Sequence, residues 1–460
     1  YRDLIKNEPN NEEYLANLAF ALVASLDFGE GIRIFETILN KNIHNWRVYS
    51  GYLFNQNYNL NSDLNKTNKY IKKFNQSYKK EKINIVDFSF EKKPKKIRIG
   101  FISPDFRKHP VGYAILNVIK NLKNYNFDLF GYYNFYLEDE LTINFKNYFN
   151  KFYHIENLKD EKIINQIRKD GIHILIDLAG HTNNNNLNIF YYYPAPIQVS
   201  WLGYLPTTGI SEIKYKIGDK QIYSKKNESN FSEKILMLPD IWSNFEVFQN
   251  ADIPYNFINN KNNKIILGSF VTLRKVNDNV INLWSKVLKR FPNTILYLKA
   301  PELHDDSVKR KIIKKFNNFE ISSDRLILEK SSDYKNYLES YLKVHITLDP
   351  FPWNGVTTSF ESVWMGAPIF CLKGDTVYSR CAYTINKNLK MDDWIASDQD
   401  DYLKKLEKIL SNKNQLLSIK KNLRKNAIKN NLFDSKKFTK NLSIKLNEIW
   451  NDFEKKELLK

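Results

Sequence analysis

Apolar residues along the chain change their period partway through. Over residues 11 to about 40, NEEYLANLAFALVASLDFGEGIRIFETILNKN, they recur at helical spacing in two stretches separated by Asp27-Phe28-Gly29. Ala16, Ala19 and Ala21 put small side chains where two helices could approach closely. Helical patterning continues over residues 41 to 75, and the Lys-rich, poorly periodic tract Tyr78 to Lys96 predicts a connector. From Ile97 the pattern becomes short apolar runs alternating with helical stretches: Ile97 to Ile102, Phe127 to Tyr132, Ile174 to Leu178 and Ile197 to Trp201. A second series starts at Ile265 and runs through Thr294 to Leu298, Leu326 to Leu328, Ile346 to Leu348 and Ile369 to Leu372. Such alternation predicts an α/β architecture of parallel sheets covered on both faces, here two Rossmann-like lobes facing a cleft. The expected boundaries are 1–75 for the helical segment, 76–96 for the connector, 97–245 and 262–432 for the lobes, and 433–460 for a C-terminal helix.

In doubly wound lobes ligands sit outside the carboxyl ends of the strands, which directs attention to the loops there. The most informative is in Val344 to Arg380. Its apolar run ends at Asp349, Pro350 and Pro352 stop the strand, and Asn354-Gly355 supplies a turn. A helix then begins, with Thr357 or Thr358 as the expected N-cap and Phe360, Val363 and Trp364 at helical spacing; Gly366 and Pro368 end it. Free N–H groups, Thr hydroxyls and the positive end of the helix dipole would hold a phosphate there, with little side-chain bulk at Gly355. Thr358 with Glu361 three residues on is equally a capping box, a purely structural reading.

Composition narrows the classes. With 460 residues and 42% apolar content, two or three domains are expected. The strongest apolar stretch, near Leu18 to Leu26, is far short of the roughly 20 residues of a membrane span. The chain opens at Tyr1 without a Met and shows no signal-peptide pattern, so it reads as a piece of something longer. Two cysteines, Cys371 and Cys381, suit a reducing, cytoplasmic setting rather than a disulfide framework. The net charge of +19 is Lys spread through Asn-rich sequence with no dense basic tract, so nucleic acid is not expected as a partner. Seven histidines form no HExxH or HxH and have no paired Cys, so no metal is expected. Asp398-Gln399-Asp400 has DxD spacing but falls at an expected helix start, where capping explains it. His109 and His181 lie in loops at strand ends and are site candidates, whereas His173, beside a strand, reads as a packed or capping side chain. The helix pair at residues 11 to 40 is similar to one tetratricopeptide unit, which cannot bury its own faces and needs neighbours.

Several stretches carry a resemblance in the right order. They are SGYLFNQNYN from Ser50, SPDFRKHPVGY around His109, Ala179-Gly180-His181-Thr182, PAPIQVSWLGYLPTTG (Pro194 to Gly209), GSFVTLRKVND (Gly268 to Asp278) and LDPFPWNGVTTSFESVWMGAPIFCLKGDTVYSR. Together they resemble the protein O-linked N-acetylglucosaminyltransferase and SPINDLY family, glycosyltransferases of the GT-B fold, from Ser50 to about Lys455. The resemblance implies a nucleotide-sugar donor and no metal or other cofactor. By match to the family's motifs, Lys275 contacts the nucleotide diphosphate with Thr272 in the same segment, Thr357 and Thr358 meet the diphosphate beside Gly355, and Glu361 meets the ribose hydroxyls. On the acceptor side it implies His109 and His181 as candidate bases, with Gly203 and Thr207-Thr208-Gly209 leaving room and hydroxyls for a sugar. The chain departs from the pattern at Tyr337 and Val356, where members have His, and at Lys214 and His345, where they have Asp.

The implied reaction is inverting, metal-independent transfer of N-acetylglucosamine from UDP-GlcNAc to Ser or Thr hydroxyls of a protein or peptide held through the helical repeats. The alternatives are a GDP-fucose donor, as in the SPINDLY branch, a glycan acceptor, or an inactive peptide-binding scaffold.

Overall fold

The structure, a computed structural model, describes residues 1–59, 63–78, 83–87, 90–245 and 264–458. The expected connector at 76–96 therefore falls partly outside the described residues, and the expected lobe start at 262 lies outside them. The chain forms two compact units, Tyr1–Glu246 with Ser435–Lys460, and Val247–Asp434.

The first unit opens with helices α1 (Arg2–Asn7), α2 (Glu12–Ala24), α3 (Phe28–Lys41), α4 (Trp46–Gln56) and α5 (Leu64–Ser77). Asn11, Asp27, Asn45 and Asp63 each accept backbone N–H groups at the starts of the last four, which is why the helical run breaks where it does. Two expectations change here. Because Asp27 is a cap, Phe28 and Gly29 already belong to α3, and residues 41–75 are two capped helices rather than one run. Ala16 and Ala19 are buried as expected but Ala21 is exposed. The close approach is instead at Gly31, where a Cβ would lie 2.6 Å from Val23 Cγ1.

Strands β1 (Ile97–Ser103), β2 (Phe127–Tyr133), β3 (Lys151–His154), β4 (Ile174–Asp177), β5 (Ile197–Ser200), β6 (Tyr215–Asp219) and β7 (Lys234–Leu238) follow. They form one parallel sheet in the order β3-β2-β1-β4-β5-β6-β7. Helices α6 (Pro110–Leu122), α7 (Glu140–Tyr148) and α8 (Asp160–Lys169) lie between the early strands in sequence. The N-terminal helices do not form a separate core. Phe74 of α5 is fully buried, stacks on Tyr49 at 4.0 Å, and belongs to the same apolar cluster as Ile102, Leu175 and Tyr191 of the sheet region. Truncating it to Ala is expected to cost about 3–5 kcal/mol. The neighbours that the lone repeat-like pair needs are thus the next helices, beginning with α4, which join it to the core of the lobe.

The second unit comprises β8 (Ile265–Ser269), α9 (Asp278–Arg290), β9 (Thr294–Lys299), α10 (Asp306–Asn317), β10 (Leu326–Glu329), α11 (Tyr334–Ser340) and β11 (Ile346–Leu348). It continues with α12 (Thr357–Trp364), β12 (Ile369–Leu372), α13 (Cys381–Asn388), β13 (Ile395–Ala396), α14 (Gln399–Ser411) and α15 (Lys413–Lys429). Its parallel sheet runs β10-β9-β8-β11-β12-β13. The chain then returns to the first unit as α16 (Ser435–Leu458), where Phe438 stacks on Trp201 and the Trp450 ring meets His173 edge-on at 4.6 Å. In each sheet the strand order reverses once, between β1 and β4 and between β8 and β11. Loops leaving the carboxyl ends of two such strands diverge, and the crevice between them is the usual ligand position of the fold.

Candidate functional site

The second switch point gathers Thr272, Lys275, Gly355, Thr357, Thr358 and Glu361 within one unit. The loop after β11 is held from several sides. Asn277 Nδ2 donates to the Phe351 carbonyl at 2.6 Å, Lys275 Nζ to the Asn354 carbonyl at 2.7 Å, and the Asn354 amide to Tyr378 O at 2.9 Å. Asp349 Oδ1 takes the Gly355 N–H at 2.8 Å. A Cβ on Gly355 would stand 2.5 Å from Thr358 Oγ1 and 2.7 Å from Ser359 Oγ, so the turn closes only around glycine. The expected N-cap is corrected here: Val356, not Thr357 or Thr358, occupies that place, and α12 has no side-chain cap, which also removes the capping-box reading of Thr358 and Glu361. The cause is the turn itself, which places Val356 O to accept from Ser359 N and Phe360 N. The N–H groups of Thr357 and Thr358 are left without acceptors among the described residues, at the positive end of a helix dipole.

Lys275 is half-buried at the end of a short turn that begins after Thr272, whose hydroxyl donates to Glu302. Burial lowers its pKa, opposed by the Asp349 carboxyl, whose own pKa burial raises. Asp349 Oδ2 and Asn354 Oδ1 are buried with no partner among the described residues. Such a turn can receive an anion with one fixed cation and two backbone donors. Beneath it, Glu361 is 4% exposed and burial pushes its pKa up to about 8. Its Oε2 lies 3.1 Å from the hydroxyl of Tyr337, one of the positions where the chain departs from the family pattern.

At the first switch point, His109 follows β1 and His181 follows β4. His109 caps α6, with Nδ1 accepting from Val111 N at 3.3 Å and standing 3.3 Å from Asp105 Oδ1. The first contact needs a lone pair on Nδ1 and the second a proton, so the two select opposite tautomers. Burial and the neighbouring Arg107 push its pKa down to about 4, and burial pushes Asp105 up to about 6.

His181 is different. It is 2% exposed, its Nε2 donates to Thr208 O at 2.8 Å and its Nδ1 accepts from Ser50 Oγ at 2.9 Å. A carbonyl only accepts, so the proton is on Nε2 and both nitrogens are occupied; burial pushes the pKa down to about 4. The side chain ties α4 to the loop at Thr208, and no ring nitrogen remains for an acceptor's proton. The expected sugar room at Gly203 and Thr207-Thr208-Gly209 is also corrected. A Cβ at Gly203 would sit 2.2 Å from Leu178 O, and one at Gly209 2.7 Å from Ile71 Cγ2, so backbone packing and α5 occupy that space. The hydroxyls of Thr207 and Thr208 donate to Glu233 at 2.7 and 2.6 Å.

Sequence reasoning missed Glu233, and with it a buried chain in which Lys216 Nζ reaches Ser200 Oγ at 3.1 Å beside Asp177, whose carboxyl takes the N–H groups of Ala179 and Gly180. No local signal marked Lys216: in KYKIGD it alternates with Tyr215 and Ile217, the pattern of an outward-facing residue. An open cavity of about 500 Å³ adjoins this loop, lined among others by Asn68, Lys72 and Gln76 of α5 and by Phe231 and Ser232.

The remaining candidates are structural. His173 accepts from Arg98 N and contacts Glu91 O; His345, buried, accepts from Ile266 N at 3.0 Å. Lys214 donates to Ser211 O, and Asp398 caps α14 through Asp401 N. Among the described residues no group of three His, Cys, Asp or Glu could hold a metal ion, and no helix is long and apolar enough to cross a membrane.

Two parallel, doubly wound units with their candidate loops at switch points, preceded by a helical segment, define a GT-B glycosyltransferase fold. The chain belongs to glycosyl transferase family 41, whose pattern matches residues 58–247 and 255–442. It is similar to the probable UDP-N-acetylglucosamine–peptide N-acetylglucosaminyltransferase SPINDLY of Solanum lycopersicum, 27% identical over 357 residues, covering 76% of this chain and 38% of that one. The Hordeum vulgare counterpart is 28% identical over 360 residues, covering 77% and 38%. The chain thus spans under two fifths of the length of these curated relatives. Among solved structures, a mutant O-GlcNAc transferase of Thermobaculum terrenum matches with a TM-score of 0.91 at 24% identity, covering 99% of this chain and 87% of that one.

Proposed function

We propose that this protein is an inverting, metal-independent glycosyltransferase that moves N-acetylglucosamine from UDP-GlcNAc to Ser or Thr hydroxyls of a protein acceptor. The observation that carries this reading is the turn after β11: Lys275 and the free N–H groups of Thr357 and Thr358 converge where a leaving diphosphate needs positive charge. Fixed donors there do the work that a divalent cation does elsewhere. The acceptor oxygen bonds to the anomeric carbon as the bond from that carbon to the diphosphate oxygen breaks. The electron pair leaves with UDP, and the hydroxyl proton passes to His109 Nε2 once Nδ1–H is held by Asp105. His181, with both nitrogens engaged, is not the base. The names of the family relatives support the donor and the peptide acceptor. The polar cavity beside α5, with Asn, Gln and Lys side chains along one helix face, is a suitable place for an extended peptide. Two buried free thiols, Cys371 and Cys381, fit a reducing, cytoplasmic setting.

The test is a melting-temperature panel with UDP, GDP and their sugars, with and without EDTA, followed by transfer from labelled UDP-GlcNAc to a peptide library. A UDP-selective shift that survives EDTA, with peptide labelling, is the expected result. A GDP-selective shift replaces the donor with GDP-fucose, and no shift with any nucleotide leaves a peptide-binding scaffold.

A further inference from the structure

The two tyrosines beside Glu361 form a hydrogen-bond chain whose direction follows from counting protons. Tyr341 Oη lies 3.0 Å from the Thr358 carbonyl. A carbonyl only accepts, so the one Tyr341 proton goes there and the Tyr341 oxygen is left to accept. Tyr337 Oη lies 2.9 Å from that oxygen, 3.1 Å from Glu361 Oε2 and 3.4 Å from Phe270 O. If Glu361 were ionised, three acceptors would surround the single Tyr337 proton. A neutral Glu361 supplies the missing donor, and the chain then runs from Glu361 to Tyr337, to Tyr341, to the Thr358 carbonyl. Burial favours the same neutral form and outweighs the hydroxyl hydrogen bonds of Tyr337 and Tyr334, which favour the ionised one.

We propose that Tyr337 is the positioning residue of the donor's ribose site, locking the acid at the ribose end to the turn at the diphosphate end through Tyr341. This rests on the donor reading above, in which Glu361 meets the ribose hydroxyls and Thr358 the diphosphate. Phe270 O, just beyond β8, lies 3.4 Å from the same hydroxyl, so Tyr337 stands against both segments that the donor reading uses, α12 and the loop after β8. With its one proton committed to Tyr337, the Glu361 carboxyl keeps its other oxygen as an acceptor for a ribose hydroxyl. The site should therefore prefer a ribonucleotide to its 2′-deoxy analogue.

The experiment compares UDP with 2′-deoxy-UDP by calorimetry, and donor KM with kcat, in the wild type and in Tyr337→Phe. The wild type is expected to bind UDP about tenfold tighter than the deoxy analogue. Tyr337→Phe is expected to erase most of that preference and raise donor KM about tenfold, with a far smaller change in kcat. Tyr341→Phe, which removes the two links beyond Tyr337 but leaves Tyr337 on Glu361, should move the same quantities in the same direction by less, and serves if the first variant folds poorly. A wild-type protein that binds UDP, with a ribose preference unchanged in both variants, overturns the inference and leaves the donor reading intact. Equal weakening of both nucleotides reduces Tyr337 to packing and also overturns it. If the wild type binds no nucleotide, the donor reading fails and the inference fails with it.

Discussion

The two switch points share one topology and treat their polar groups in opposite ways. In the first unit nearly every polar group singled out from the sequence is already satisfied. His181 joins Ser50 to Thr208, both Thr207 and Thr208 donate to Glu233, and the missing side chains of Gly203 and Gly209 make way for other parts of the fold. In the second unit the turn after β11 is braced from behind by Asp349, Asn277 and Lys275, while its front N–H groups stay open. A satisfied polar cluster stabilises; an unsatisfied one in a rigid frame is ready to bind. On the proposed function, affinity for the donor belongs to the second unit and His109 is the first unit's main chemical contribution.

The strongest way to break this contrast is Lys275→Ala. Transfer is expected to fall about a hundredfold to a thousandfold, with circular dichroism and melting temperature close to wild type; ordinary turnover would remove the lysine from the diphosphate site. Next comes His109→Ala, expected to lower kcat about a hundredfold while donor affinity stays near that of the wild type. A kcat equal to wild type would take His109 out of the mechanism. His181→Ala should behave unlike either. Losing two buried hydrogen bonds is expected to cost about 2–4 kcal/mol in denaturant unfolding, with residual activity following the folded fraction. A stable but inactive variant would return His181 to the chemistry.

Acid sharpens the same point. The pKa of His181 and His345 is lowered on folding to about 4, so each contributes stability that is fully present above the unfolded value near 6.5 and is lost as pH falls towards 4. By pH 5 the loss is expected to be about 2 kcal/mol for each, read as the difference in urea stability between the wild type and His181→Gln or His345→Gln, because Glu361 and Asp105, whose pKa values burial raises, gain stability over the same range. A difference that stays constant from pH 7 to pH 5 would contradict the burial of that ring. The smallest effect belongs to Asp398→Ala, about 1 kcal/mol for a lost cap and no change in transfer with or without EDTA. Lost activity restored by a divalent metal would instead revive the DxD reading.

Central strands were legible because burial on both faces makes them continuous apolar runs, as in β1, β2, β8 and β9. Three of the four edge strands among the described residues were not: KFYH of β3 and KILML of β7 carry solvent-facing polar positions, and β13 is only two residues long, whereas the apolar run of β10 was expected. β6 was hidden by Lys216, whose burial depends on Ser200 in the neighbouring strand rather than on anything nearby in sequence. In the candidate site, Lys275, Gly355 and the Thr pair stand immediately beyond strand ends, where motif and topology coincide. Asp349 as the brace of Gly355, Glu233 as the acceptor of the PTTG hydroxyls and the tyrosines over Glu361 arise from contacts across 6 to 26 positions, beyond local pattern. The same distance explains the misread cap: a Thr pair at a helix start looks like capping until the preceding turn fixes Val356 there.

The bond between Ser50 and His181, together with Asn75 donating to the Gly209 carbonyl and accepting from Tyr191, bears on how such a protein can be re-engineered. The Lys-rich tract before β1 looks like the natural place to cut and graft foreign repeats. A graft there would discard α4 and α5, leaving His181, Gly209 and Tyr191 facing solvent without their partners. The workable splice lies further back, at Asn42 to His44, where α3 has ended and the α4 cap at Asn45 is kept.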